Sequence, residues 1–180
     1  STVIKLLCGL YFATEGKILI NGQDIKKFNV VSIYSKIGCV FQEFVKYPLS
    51  IKENIAISNI QEKENQALIK EVTKKVGLDQ YIEKLPDKYD TQLKREWTKG
   101  IELSGGQWQR VAVSRCFMKD FNVLIMDEPS ASLDIMAEKQ LYHNLQKLNR
   151  NNLSVFVTHR YIDPDLIDEV IVLDKGRIVQ

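Results

Sequence analysis

The chain has no long hydrophobic run. Its longest uninterrupted apolar stretches are four residues, as in Val123-Leu124-Ile125-Met126. A helix that crosses a bilayer needs ~20, so no segment of these 180 residues reads as a transmembrane helix. A membrane role would have to come through a partner or through sequence outside the chain. Cysteine is scarce. Cys8, Cys39 and Cys116 are odd in number, far apart and without a CxxC pair, so neither a disulfide framework nor a zinc site is indicated. Their apolar surroundings predict core packing in a reducing setting. Charge of one sign is also missing, since 25 basic and 23 acidic side chains leave a net +2. That balance excludes a polyelectrolyte tail and gives no support to nucleic-acid binding through a basic field. Even the most crowded stretch, from Gln61 to Gly100, intersperses its signs as a solvated helical surface does. The first residue is Ser1, and nothing resembles a signal peptide.

What is present suits one globular domain with a core: 44% hydrophobic and 27% charged residues over 180 positions. Apolar period and turn residues predict a helix over residues 1 to 11, with Val3, Leu6, Leu7 and Leu10 on one face. A strand from Lys17 to Ile20 leads through Asn21-Gly22 into Gln23–Ile25, and Ile37 to Phe41 reads as a short strand. From about Pro48 to Lys99 the texture is charged and helical, with residues 61 to 76 the clearest helix. A helix after Gly105 carries Trp108, Val111 and Ala112. Strand signals return at Val123–Met126, and a helix follows with Leu133, Ala137, Leu141, Leu145 and Leu148 in register. Ser154–Val157 and Val170–Leu173 read as strands, and Lys175-Gly176 as a turn. Strands alternating with helices at both ends predict a layered α/β core with a mainly parallel sheet, interrupted by an inserted helical region.

Several strand ends carry chemistry. Asp127-Glu128 follows Val123–Met126, which places two carboxylates at the C-terminal edge of a parallel sheet, where ligands bind in open α/β folds. One carboxylate there can hold a magnesium shell while the next orients or deprotonates water. A solvated strand end is the plainer reading of the pair taken alone. His159 follows Val155–Thr158 and Gln42 follows Gly38–Phe41. Each alone reads as structural, but parallel strands bring all three ends to one edge. Separately, Leu103-Ser104-Gly105-Gly106-Gln107 opens a helix. Its glycines let backbone approach an anion, the helix N-terminus offers unpaired N–H groups, and Ser104 can donate to a phosphate oxygen. Ser104 and Gln107 also fit a capping box.

Taken together these motifs resemble the nucleotide-binding domain of ATP-binding cassette (ABC) transporters, with a P-loop NTPase-like core and an inserted α-helical subdomain. Leu103–Gln107 is similar to the family signature, and Val123–Asp127 with Glu128 to the Walker B strand and catalytic glutamate. Ala131-Ser132-Leu133-Asp134 resembles the D-loop, Gln42 the Q-loop and His159 the switch histidine. The likeness covers essentially all 180 residues. It implies a catalytic α/β lobe of residues 1–43 and 118–180 and a helical subdomain of 44–117. Asp90–Leu93 with Arg95-Glu96, and Phe41–Phe44 with Tyr47 and Glu53–Ile55, resemble exporter-type cassettes. Trp97 to Gly100 is similar to a stretch of bacterial exporters of the peptide or lantibiotic kind. Trp108 stands where the family often has a polar residue, and reads as a core or interface aromatic.

The resemblance implies ATP and Mg²⁺ as cofactors and assigns roles residue by residue. Ser1 and Thr2 stand as the last two residues of the Gly-rich phosphate loop, with its glycines and lysine expected just upstream, so the chain reads as a piece of a longer cassette. The piece alone is then expected to hydrolyse no ATP and to bind it poorly. Ser1, Gln42 and Asp127 would meet the metal, and Thr2 the α-phosphate. Glu128 would polarise the attacking water, with His159 on the γ-phosphate and Gln42 linking hydrolysis to the membrane domain. Leu103, Ser104, Gly105, Gly106 and Gln107 would grip nucleotide held by a second cassette in a head-to-tail dimer, and Asp134 would sit where the halves meet. The implied function is ATP hydrolysis coupled to export at the cytoplasmic face of the membrane, with a transmembrane domain as partner and no nucleic acid. A soluble ATPase acting on DNA or ribosomes and a catalytically silent regulatory cassette are the alternatives. Against the first, only 61 positions separate Gln42 from Leu103, which leaves no room for a long coiled coil.

Overall fold

The computed structural model describes residues 2–94, 100–129, 135–148, 152–160 and 162–179. Helix α1 (Thr2–Leu7) is shorter than the expected 1 to 11 and presents a different face. Ile4 and Cys8, one turn apart, are buried, whereas Val3 is 42% and Leu10 46% exposed. The helix stops because Gly9 takes φ 69°. Leu10 N–H then bonds back to the Lys5 carbonyl and Gly9 N–H to that of Leu6, a closure that needs a left-handed residue at the turn.

Strands β1 (Leu19–Ile20) and β2 (Gln23–Asp24) form a hairpin. Asn21 and Gly22, at φ 49° and 78°, make the two-residue turn that the pair predicts. Helix α2 (Val30–Lys36), capped by the Asn29 side chain, leads into β3 (Ile37–Val40). The helical stretch follows as α3 (Ile51–Ala56), α4 (Gln66–Lys75), α5 (Asp79–Ile82) and α6 (Gly105–Phe117). The clearest predicted helix starts at Gln66 and not at residue 61, because Asn65 caps it by accepting from Leu68 N–H. Then come β4 (Val123–Asp127), α7 (Ile135–Leu148), β5 (Leu153–Val157) and the hairpin of β6 (Leu173–Asp174) with β7 (Arg177–Ile178). The predicted strand at Val170–Leu173 pairs only from Leu173. Val170 and Ile171 remain 65% and 59% exposed, with no neighbouring strand among the described residues.

The centre is a parallel sheet in the order β3-β4-β5. Alternation of side chains sends Leu124 and Met126 to one face and Val123 and Ile125 to the other. The first face joins the large core built by α3 to α7, with Ile51, Ile55, Val72, Trp108, Val111, Leu141 and Leu145. The second packs against Ile4 of α1 and Cys8 just after it, with Leu7, Cys39 and Val155 around them. Burial on both faces is why these strands read as apolar runs and not as alternating patterns. Cys8 and Cys116 are buried and Cys39 half-buried, so the thiols pack within the two cores. Burial pushes the Cys116 thiol up to about 12.

Candidate active site

The parallel register brings three of the candidate side chains to one edge. Val40, Met126 and Phe156 lie side by side, so Gln42, Glu128 and His159 each follow their strand within two or three residues. The Glu128 N–H extends the β4–β5 ladder to the Val157 carbonyl at 2.8 Å. Its backbone then turns into the left-handed region, φ 49°, a conformation costly for a residue with a side chain. The turn leaves the carboxylate between its neighbours. Gln42 Nε2 donates to Glu128 Oε2 at 3.2 Å, and His159 Nδ1 lies 3.0 Å from Oε1. The Glu128 side chain is 23% exposed and that of His159 73%, so the carboxylate is shielded while the imidazole faces solvent. A carboxylate fixed from both sides is suited to orient a water molecule and take its proton.

Asp127 is buried, 4% exposed. It falls on the α1 face of the sheet by alternation with Ile125. The oxygen donors offered along this edge, the Asp127 carboxylate and the Gln42 amide, are hard ligands that fit Mg²⁺. Among the described residues no group of three or more His, Cys, Asp or Glu converges for a metal. Thr2 opens α1 at the surface. Ser1 lies outside the described residues, as do Asp134 with the rest of 131–134, and residues 95–99 with Arg95-Glu96 and Trp97.

The signature turn is built separately, at the head of α6. Ser104 Oγ accepts from Gln107 N–H at 3.3 Å, and the Gln107 side-chain oxygen accepts from Ser104 N–H at 2.8 Å. The capping box read in the sequence is therefore formed. Leu103 is buried beneath it, and Gly105 and Gly106 make the first turn near the surface. Trp108 is a core aromatic, 2% exposed, whose indole N–H donates to Glu102.

Two residues that the motifs did not single out also reach the candidate segments. Gln109 is 4% exposed, and its Nε2 donates to the carbonyls of Glu128 and Pro129, so α6 holds the Glu128 turn from behind. Arg115, in the last turn of the same helix, hydrogen-bonds to residues 45 and 54. The signal for Gln109 was its place on the helical face of Ala112, Val113 and Cys116, where a polar side chain must find a partner.

The family model of the ABC transporter matches residues 1–131. The chain is 39% identical over 178 residues to the subtilin transport ATP-binding protein SpaT of Bacillus subtilis, covering 99% of this chain and 29% of that protein. It is 36% identical over 180 residues to the nisin transport ATP-binding protein NisT of Lactococcus lactis subsp. lactis, covering 99% and 30%. Among solved structures, a bacterial Atm1-family ABC exporter with ATP bound superposes with a TM-score of 0.85 at 30% identity, over 99% of this chain and 31% of that one. The chain spans less than a third of the length of these relatives. The layered α/β fold with its parallel sheet agrees with that exporter's. On the family match and these likenesses, the chain belongs to the ABC transporter family.

Proposed function

We propose that the chain acts as the ATP-binding and ATP-hydrolysing cassette of an ABC exporter, within a longer protein or assembly. The observation that carries this reading is the Glu128 carboxylate held between Gln42 and His159 at the ends of neighbouring parallel strands. Glu128 receives the proton of the attacking water. Gln42 and His159 fix its two oxygens, and the exposed side of the imidazole is directed to the γ-phosphate. Asp127 and Gln42, with Ser1, would hold Mg²⁺, which when bound would neutralise charge on the phosphates, and Thr2 would meet the α-phosphate. Positioning and electrostatics do most of the work in such phosphoryl transfer.

The signature turn, Leu103 to Gln107, serves a second site. Ser104 and the glycines behind it would face nucleotide held by another cassette in a head-to-tail dimer, with Asp134 assigned to the junction by the family resemblance. Residues 1–43 and 118–180 form the catalytic lobe and 44–117 the helical subdomain, which meets a transmembrane domain at the cytoplasmic face of the membrane. Cargo of the kind named for the two bacterial relatives, subtilin or nisin, is the substrate class this likeness favours. ATP turnover by the full gene product tests the reading: Mg²⁺-dependent phosphate release is expected. A protein that binds no nucleotide and releases no phosphate would overturn it.

A further inference from the structure

Arg115 stands in the last turn of the signature helix, and its guanidinium leaves the helix to meet the stretch that follows Gln42. Its Nε donates to the Asn54 carbonyl at 3.0 Å, Nη2 to Asn54 Oδ1 at 2.9 Å and Nη1 to the Val45 carbonyl at 2.9 Å. The guanidinium carbon lies 5.1 Å from the centre of the Tyr47 ring. Asn54 completes the joint. It is fully buried, and its Nδ2 donates to the carbonyls of Tyr47, Leu49 and Ser50 at 3.0, 3.2 and 3.1 Å. Among the described residues no carboxylate forms an ion pair with the guanidinium. Burial lowers its pKa from the usual arginine value, yet arginine stays charged at any working pH. A planar fork with three engaged nitrogens sets both direction and distance, which a lysine ammonium cannot do.

The segment so held makes further connections. Ser50 bridges Gln92, Ile51 N–H bonds the Thr91 carbonyl, and Leu93 N–H bonds that of Leu49. Ile101 N–H reaches the Gln92 carbonyl, two residues before Leu103. Residues 43–49 have no helix or strand of their own, so their path depends on such side-chain anchors.

We propose that Arg115 is a positioning residue that locks the 43–50 stretch to the signature helix, so that Gln42 and the signature turn shift together when nucleotide binds. The inference rests on the ATPase reading of those two motifs. The lock works from the far end of α6: the N-terminus faces phosphate, and the C-terminus carries the fork that holds the loop after Gln42.

The test uses the full gene product with Arg115→Lys, which keeps the charge and loses the fork. Tyr47→Leu, which removes the stacked ring, serves as the second variant. Amide hydrogen exchange is followed in peptides covering 43–50 and 104–112, with and without a non-hydrolysed ATP analogue and Mg²⁺. In the unaltered protein both segments gain protection on adding nucleotide. In Arg115→Lys the signature peptide still gains protection while 43–50 does not. Its kcat falls about tenfold while KM for ATP stays within about twofold. A purely structural role would instead raise exchange throughout, and that outcome overturns the proposal. So does joint protection of both segments with unchanged kcat. Should Arg115→Lys fail to fold, Tyr47→Leu is read by the same criteria. Should the unaltered protein show no nucleotide binding, the ATPase reading falls. The lock is then judged by nucleotide-free exchange: faster exchange confined to 43–50 in the variant upholds it, and none overturns it.

Discussion

Gly38 marks a tight approach of α6 to the sheet. A Cβ added there would stand 3.1 Å from Cys116 Cβ and 3.3 Å from Leu124 Cδ1. Strand propensity alone favours valine over glycine, but the larger side chain would force the helix off β3. Gly38→Val is expected to cost about 1–3 kcal/mol as an overpacked core, read as a lower urea midpoint with unchanged slope. A gain in midpoint would show that α6 yields freely. At the candidate site, Glu128→Gln keeps the size of the side chain and removes the proposed base. Turnover by the full gene product should fall about 10²–10⁴-fold, or about 3–5 kcal/mol of barrier, with nucleotide affinity retained in calorimetry. Unchanged turnover would take Glu128 out of that role. Gln42, Glu128 and His159 were legible because each ends an apolar run, and parallel pairing makes run ends neighbours. Gln109 and Arg115 were not, because they act across tertiary contacts from inside a helix.

Among the elements, α6 carries the sharpest test of a dual role. The Ser104 hydroxyl caps the helix in this structure, and it is also the proposed phosphate contact. Ser104→Ala should lose about 1 kcal/mol of stability with the cap. Ser104→Asp should retain the cap while placing negative charge against phosphate. Thermal unfolding of the two variants is expected to diverge while ATP turnover falls in both. Equal unfolding temperatures would show that the cap contributes little. Helix α3 has a similar box with a pH signature. Glu53 is held down to about 2, chiefly by the Ser50 N–H and then by Lys63. A depressed carboxylate stabilises the fold fully above its unfolded value and loses that contribution as pH falls. The urea-midpoint difference between the unaltered chain and Glu53→Gln should therefore shrink between pH about 4.5 and pH about 2; a constant difference would contradict it. Hairpins were the most legible elements, since Asn21-Gly22 and Lys175-Gly176 both take the left-handed turn their residues favour. Helix α2 was not, because among its apolar residues only Ile33 is buried while Val31 is 74% exposed, so no stripe shows in its sequence.

For the whole molecule, the layered class followed from alternating strands and helices, but the burial of α1 did not. Its face was set by Cys8 and Ile4 meeting Ile125, a contact across more than a hundred residues. If two cassettes share nucleotide as proposed, Glu128→Gln with ATP and Mg²⁺ should shift the full gene product toward associated cassettes in light scattering. A persistently unpaired species would contradict the shared site. The left-handed turn at Glu128 also bears on the stability of the entire chain. Leaving that conformation for a residue that tolerates it recovers about 1 kcal/mol, and asparagine is such a residue. Glu128→Asn should thus unfold no earlier than the unaltered chain while losing turnover. The sturdier molecule would be the idle one, and selection for work would have kept the chain below the stability its own fold allows.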